Sequence, residues 1–423
     1  MPKYSIPEQI SVFCDQLGDR PFFVCDMDGN VMHGFSLVPG KSLASDCKDK
    51  NHDIPFGLAP ENLDKLVMDG VLKKEIFATK SMDVRLLPEL VQIVNKNIKE
   101  RNKFSLGFLT SRSAIDALKL LEESGVKEPD QVTLVADSGA TLYIDGHKTS
   151  VRTLTQDEKS FLNGIRTLES KLMQDIKMVL KECGFNPDQC PDFYIENKGI
   201  ATNIHYRTIL KHYEQEDGSN LDKKLGTVIK TRLQAEVDKG PRNAAGEITF
   251  ATLDGPATVE VKVAKVNKGF GLEALARAAL ASDNSPTALV FSGDDVSKGN
   301  GTPGTDYAAM IRGSSLSKEI GLHVFNIHTH HPVGGDMSSL SPDPLKSPTT
   351  LNEAEYPLPQ IHLTVPTPAA LGSIILASLT APLEKLLVSQ LISEFSLWSK
   401  VTEQKAEQWL REHQEDSLAL VLK

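Results

Sequence analysis

Short apolar runs recur along the chain, and most of them stop abruptly at acidic or hydroxyl residues. Phe22-Phe23-Val24-Cys25 is followed by Asp26-Met27-Asp28-Gly29-Asn30, and Ala288-Leu289-Val290-Phe291 by Ser292-Gly293-Asp294-Asp295. Residues 104–109 end at Thr110, and residues 131–136 at Asp137-Ser138-Gly139-Ala140. Residues 259–263, 323–327 and 362–365 continue the series. Between these runs the apolar positions switch to helical spacing, as with Ile115, Leu118 and Leu121 in residues 113–124. Strand-like runs alternating with helices predict an α/β fold built on a doubly wound, mainly parallel sheet.

Residues 151–255 follow another pattern. A helix over 156–183 leads into candidate strands at 192–196 and 201–206, a polar helix at 221–238 and a strand at 247–253. That order predicts an α+β cap domain inserted into the sheet domain, with core segments 1–150 and 256–380 on either side. Residues 381–423 form a C-terminal helical extension, with Leu386, Leu387, Leu391, Ile392 and Phe395 on one stripe. Two segments read as loops or insertions: 33–80, rich in Lys and Asp, and 332–359, rich in Pro, Ser and Asp.

Bulk properties narrow the function. The chain has 423 residues, enough for two or three domains. Its net charge of −10 argues against nucleic acid and anionic membrane as partners, while a local cationic pocket still admits a small anionic substrate. Cysteines 14, 25, 47, 183 and 190 form no C-x-x-C pair and read as reduced thiols. No signal pattern opens the sequence and no apolar stretch is long enough to span a bilayer, so the expected location is cytoplasmic. The oligomeric state is left open.

The chemistry is carried by the strand ends. Open α/β sheets build their sites at the carboxyl ends of strands. Carboxylates from two neighbouring strands would converge there on a hard cation such as Mg2+. Asp26 and Asp28, two apart, point the same way at an extended strand end. One carboxylate can attack phosphorus while the other handles the proton. Asp294 and Asp295 are candidate metal ligands, Lys268 a candidate cation, and Thr110 a candidate hydroxyl donor to a phosphoryl oxygen.

The ordered set D-x-D-G, strand-Thr-x-Arg, Asn-Lys-Gly and Gly-Asp-Asp resembles that of the haloacid dehalogenase-like phosphatases. Within the insert, Glu196-Asn197-Lys198 followed by His205-Tyr206-Arg207 is similar to the E-x-K…H-Y-R cap motif of the trehalose-6-phosphate phosphatases. Leu109-Thr110-Ser111-Arg112, Val259-Glu260-Val261 before Lys268-Gly269, and Val365-Pro366-Thr367-Pro368 also resemble that family's segments. The resemblance implies Asp26 as nucleophile and Asp28 as general acid and base, with Thr110 and Lys268 gripping the phosphate. Mg2+ would be held by Asp26, the Asp28 carbonyl and Asp294, with Asp295 close by. The cap residues Glu196, Lys198, His205, Arg207 and Glu260, with Arg112, would face the sugar. The implied reaction is hydrolysis of a small-molecule sugar phosphate, trehalose-6-phosphate foremost.

Three positions depart from the family pattern. Asn30 stands where D-x-D-G-T has Thr. G-D-D-x-T-D is interrupted, so that Asp306 becomes a displaced last acid. Pro256 stands where Lys often precedes the cap glutamate, which bears on the identity of the sugar. These departures motivate the alternatives of a phosphatase for another sugar phosphate and a non-catalytic sugar-phosphate sensor. Two motifs compete weakly: Gly269-Phe270-Gly271 as a dinucleotide turn, and His328, His330 and His331 as a zinc cluster lacking complementary ligands.

Overall fold

The computed structural model describes residues 16–38, 41, 65–75, 83–215, 218–255, 257–297, 303–329, 355–365 and 368–379. The chain enters the main sheet at β1 (Pro21–Cys25), then forms a three-stranded antiparallel sheet from β2 (Met32–Leu37), β3 (Leu72–Glu75) and β4 (Asp83–Leu86). It continues through α1 (Pro88–Glu100), β5 (Leu106–Leu109), α2 (Ala114–Glu123) and β6 (Thr133–Ala136) to β7 (Thr141–Ile144) and β8 (His147–Ser150). The insert comprises α3 (Gln156–Arg166), α4 (Glu169–Glu182), β9 (Tyr194–Asn197), β10 (Ala201–His205), α5 (Arg207–His212), α6 (Asn220–Val237), β11 (Phe250–Gly255) and β12 (Thr258–Val263). The main sheet resumes through α7 (Lys268–Leu280), β13 (Ala288–Gly293), α8 (Tyr307–Ile320), β14 (His323–Thr329), β15 (Leu363–Val365) and α9 (Pro368–Leu379).

The main sheet has eight strands in the order β15-β14-β13-β1-β5-β6-β7-β8. The first six are parallel, and β7 and β8 add an antiparallel edge. Every residue of β1 is buried because both faces of the sheet are covered. Phe23 and Cys25 pack with α1, α2 and α9, while Phe22 and Val24 pack with α7 and α8. Fully burying one such phenylalanine contributes about 1.5–3 kcal/mol. From β1 the chain winds one way to β5 and later returns on the other side at β13. The crevice this opens at the carboxyl end of β1 is where such sheets bind ligands. The fold is thus the expected doubly wound, mainly parallel sheet carrying an α+β cap.

Three differences from the sequence reading stand out. The run at 259–263 lies in a four-stranded antiparallel sheet, order β11-β12-β10-β9, not in the main series. Its alternation is the signal, since Val259, Val261 and Val263 are buried while Glu260 and Lys262 face the other way. The helix expected over 156–183 is two helices, α3 and α4. The Thr167 hydroxyl donates to the Gly164 carbonyl (2.8 Å), and Leu168 turns into the cap core. Within 33–80, β2 and β3 form part of a sheet instead of a loop. Most of 332–359 and all of 381–423 lie outside the described residues, as does Pro256. Among the described residues, no helix is long and apolar enough to cross a membrane.

One backbone contact seats the N-terminal end of α7. Gly139 has φ +105°, and a Cβ built there would lie 2.2 Å from the Asn267 carbonyl oxygen. Gly139→Ala combines a left-handed strain with a backbone clash. It is expected to cost on the order of 3 kcal/mol in denaturant unfolding. Stability within 0.5 kcal/mol of the parent would refute the close approach.

Candidate active site

Asp26 follows β1 directly, and its N–H donates to the Ser292 carbonyl of β13 (2.8 Å). The β1–β13 pairing therefore runs one residue past the strand and fixes the direction of the carboxylate. Lys268 is the first residue of α7, whose N-cap Asn267 accepts the Phe270 N–H at 3.1 Å. Its Nζ lies 2.8 Å from Asp26 Oδ1 and 2.6 Å from Asp306 Oδ1. All three residues are buried. Burial, with Asp306 close by, pushes the Asp26 carboxyl well above the ordinary carboxylate range, and Lys268 pulls against it. Burial likewise raises Asp306, again opposed by Lys268.

Asp306 immediately precedes α8. Its Oδ2 accepts the N–H groups of Asp294 and Asp295, both at 3.0 Å. A Cβ on Gly293 would meet the Asp306 carboxyl at 2.6 Å, so only glycine allows this approach. The segment between Asp295 and Asp306 is pinched at its base. Asp306 N–H donates to the Asp295 carbonyl (2.9 Å), Gly304 N–H to the Val296 carbonyl (3.0 Å), and Ser297 pairs antiparallel with Pro303. Asp295 turns its carboxylate to the Thr305 N–H (2.9 Å) and thereby braces the pinch.

Carboxylate oxygens of Asp26, Asp294 and Asp306 lie within 4.8 Å of one another. Asp26, Asp294 and Asp306 converge on the single Lys268 ammonium, so that carboxyl groups outnumber cations here three to one. An all-oxygen donor set with that excess suits a hard divalent cation such as Mg2+. Asp295 is not one of this trio, and Asp306, which the sequence reading left without a role, is.

Around the trio, the Arg112 guanidinium holds Asp28 in two bonds, Nε to Oδ2 at 2.8 Å and Nη2 to Oδ1 at 2.6 Å. Thr110 is buried, and its hydroxyl oxygen accepts the Arg112 N–H (3.1 Å), leaving its proton available to donate. Asn30 does structural work at the departure from the family pattern. Its Nδ2 donates to the Asp26 carbonyl (3.2 Å), the Ser292 carbonyl (3.0 Å) and Ser292 Oγ (2.9 Å), and its Oδ1 accepts the Thr329 hydroxyl at 2.5 Å. One side chain thus ties together the ends of β1, β13 and β14.

The cap faces this site with one side of its sheet. Period-2 alternation sends Ile204, Val259, Val261 and Val263 toward α3, α4 and α6. The opposite face carries Tyr194, Glu196, Asn203, His205, Glu260 and Lys262, in cross-strand register. Lys198 Nζ lies 3.7 Å from both Glu196 and Glu260 and donates to the Ser111 carbonyl of the core at 3.2 Å. Glu196 also accepts from Asn203 Nδ2 (3.1 Å), lies 2.9 Å from His205 Nε2, and sits close to the Asp116 carboxyl of α2 across the cleft. Arg207 opens α5, just past β10.

The competing motifs find plain explanations. Gly269 lies where a Cβ would meet the Ala308 carbonyl at 2.4 Å, and Gly271 where it would meet Gly139, so both serve close packing at α7. His328 is a buried residue of β14, while His330 and His331 lie outside the described residues.

No family model matches the chain, and no curated protein does. Among solved structures, the chain is similar to the C-terminal domain of a Candida albicans trehalose-6-phosphate phosphatase, at 13% identity and TM-score 0.49, covering 90% of this chain and 99% of that one. It is similar to the C-terminal domain of the Candida albicans trehalose synthase regulatory protein, at 10% identity and TM-score 0.46, covering 88% and 99%. It is also similar to an Aspergillus fumigatus trehalose-6-phosphate phosphatase, at 13% identity and TM-score 0.39, covering 89% and 97%.

Two outcomes test these electrostatics. In metal-free buffer, Lys268→Met leaves buried carboxylates uncompensated and is expected to cost roughly 3–5 kcal/mol in denaturant unfolding, with Asp306→Asn in the same chain recovering part of it. No loss would remove the ammonium from its bridging role. Burial opposes the charge on Glu196, but the His205 hydrogen bond and Lys198 outweigh it and hold the group at about 2, below its ordinary 4.5. A depressed carboxylate contributes stability that is fully present above pH 4.5 and is lost as pH falls toward 2. Thermal unfolding of Glu196→Gln should therefore fall less steeply across that window than the parent; parallel curves would contradict it.

In the order of its sequence motifs, the chain resembles the haloacid dehalogenase-like phosphatases.

Proposed function

We infer that the chain is a Mg2+-dependent phosphatase acting on a sugar phosphate, with trehalose-6-phosphate the preferred substrate. The observation that carries the phosphatase reading is the Lys268 bridge between Asp26 and Asp306, with Asp294 alongside, at the carboxyl ends of two adjacent parallel strands. The polar cap face above it supports a hydroxyl-rich substrate. The sugar is suggested by the order of Glu196, Lys198, His205 and Arg207 in the cap.

In this reading an Asp26 oxygen forms the bond to phosphorus as the bond from phosphorus to the sugar oxygen breaks. Lys268 and the Thr110 hydroxyl hold phosphoryl oxygens, offsetting the repulsion between a carboxylate and a dianion. Arg112 grips Asp28, and an arriving phosphate offers that guanidinium a second anionic partner. Asp28, so released, carries the proton to the leaving sugar oxygen, then takes one from the water that cleaves the aspartyl-phosphate. Asp26, Asp294 and Asp306 are the residues that would hold Mg2+, which when bound supplies positive charge to the phosphoryl oxygens. The cap, resting on the core through Lys198 and Glu196, keeps water away from the first step.

The test is phosphate release from trehalose-6-phosphate and a panel of other sugar phosphates, with and without Mg2+, beside Asp26→Asn. Preference for trehalose-6-phosphate, Mg2+ dependence, and a loss on the order of 10⁴-fold or more in Asp26→Asn are expected. Turnover of another sugar phosphate would keep the mechanism and replace the substrate. Binding without turnover on the whole panel would turn the reading into a sugar-phosphate sensor.

A further inference from the structure

Asp137-Ser138-Gly139, an acidic strand end in the sequence, has no part in the reaction described above. It lies at the carboxyl end of β6, beside Thr110 and Arg112. Its backbone is unusual. Asp137, Ser138 and Gly139 have φ of +54°, +55° and +105°, three left-handed residues in a row. Left-handed backbone is costly for residues other than glycine, with Asn and Asp the most tolerant. Such residues persist only where their surroundings over-determine them, and they gather at functional sites.

Each residue of the turn holds one part of the site. The Asp137 N–H donates to the Arg112 carbonyl (2.8 Å), and the Ser138 N–H to the Thr110 carbonyl (3.2 Å). These bonds continue the β5–β6 pairing beyond the ends of both strands. Gly139 packs against the Asn267 carbonyl, where α7 begins with Lys268. One three-residue turn thus fixes Thr110, Arg112 and Lys268 relative to one another.

The side chain of Asp137 adds a second observation. It is buried, and its Oδ2 accepts the Thr141 hydroxyl at 2.6 Å, which closes the turn onto the first residue of β7. Burial pushes this carboxyl above the ordinary carboxylate range, against the pull of the Thr141 hydroxyl, the Ala114 N–H at the start of α2, Lys198 of the cap and Lys148. A carboxyl is therefore kept in surroundings that disfavour its charge, on a backbone that disfavours its side chain. Turning from β6 into β7 requires neither, since glycine would avoid both.

We propose that Asp137 is a positioning residue for the hydrolysis: bonded to Thr141, it holds the left-handed turn whose N–H fixes the Arg112 carbonyl, and so aims the Arg112 guanidinium at Asp28. The proposal rests on the phosphatase reading above, in which Arg112 grips Asp28 until phosphate arrives. Asp137 itself touches neither the substrate nor the carboxylate trio. It sets where the guanidinium stands, and through it where Asp28 waits to deliver its proton.

The experiment compares Asp137→Gly, Asp137→Asn and Thr141→Val with the parent on trehalose-6-phosphate and on p-nitrophenyl phosphate, whose leaving group needs no proton, and determines crystal structures of the parent and the variants. Asp137→Gly keeps the left-handed backbone accessible and removes the acceptor. It is expected to lower kcat on trehalose-6-phosphate about tenfold or more, to lower it on p-nitrophenyl phosphate about threefold or less, and to open the Arg112–Asp28 bonds of 2.8 and 2.6 Å. Thr141→Val removes the donor and keeps the shape. It should show the same split in smaller measure, and it carries the test if Asp137→Gly does not fold. Asp137→Asn keeps an acceptor oxygen and tolerates the backbone, so it should hold kcat within about threefold of the parent. Equal losses on the two substrates would overturn the proposal, because a turn needed only for folding does not distinguish leaving groups. Arg112–Asp28 bonds left intact in both Asp137→Gly and Thr141→Val would overturn it too. If the parent releases no phosphate from either substrate, the phosphatase reading falls and the structures decide alone: bonds that open in the variants uphold the positioning, and bonds that stay refute it.

Discussion

A single buried ammonium holds the centre of this molecule together. Lys268 opens α7, Asp26 closes β1 and Asp306 immediately precedes α8, and the lysine joins all three within 2.8 Å. Buried charges are costly unless each finds partners, so this bridge constrains every element that delivers one. Gly139 must admit the Asn267 carbonyl for α7 to start where it does, and Gly293 must admit Asp306. The Lys268 bridge remains over-supplied with carboxylate, however. That excess is what makes the site fit a divalent cation, at the expense of stability without one.

The cap solves a different problem with the same economy. A four-stranded sheet with helices on one side only has one dry face and one wet one. Here the wet face is turned on the crevice of the core, where Lys198 bonds the Ser111 carbonyl and Glu196 lies near Asp116. Residues of the polar face thus also make the contacts that close the cap on the core. A substrate that engages Lys198 or Glu196 alters the energy of closure directly, with no separate latch to release.

Much of this was legible in the sequence because its signals are local. Acidic residues directly after apolar runs located the crevice, and Asp26, Asp28, Thr110 and Lys268 all stand around it. The cap strand at 201–206 and its neighbour announced themselves by alternation. What escaped was set by distance in the chain or by competition between similar patterns. Asp306 joins the carboxylate trio through backbone N–H groups eleven and twelve residues earlier, which no spacing rule anticipates. Asn30 is a substitution in a motif, yet its four hydrogen bonds reach Ser292 and Thr329, far downstream. The strand at 259–263 was assigned to the wrong sheet although its valines alternate with charge, a sign of one covered face, whereas β1 is apolar throughout.

The pinch between Asp295 and Asp306 has a consequence for how the molecule can be handled. Three rungs, Asp295 to Asp306, Val296 to Gly304 and Ser297 to Pro303, close the base of the β13–α8 connection before the chain goes any further. The rungs stand between the acidic trio and the residues that follow Ser297. The connection works as an insulated terminal: a spectroscopic label or affinity peptide spliced beyond Ser297 would report from within a few residues of the acidic trio without being wired into it.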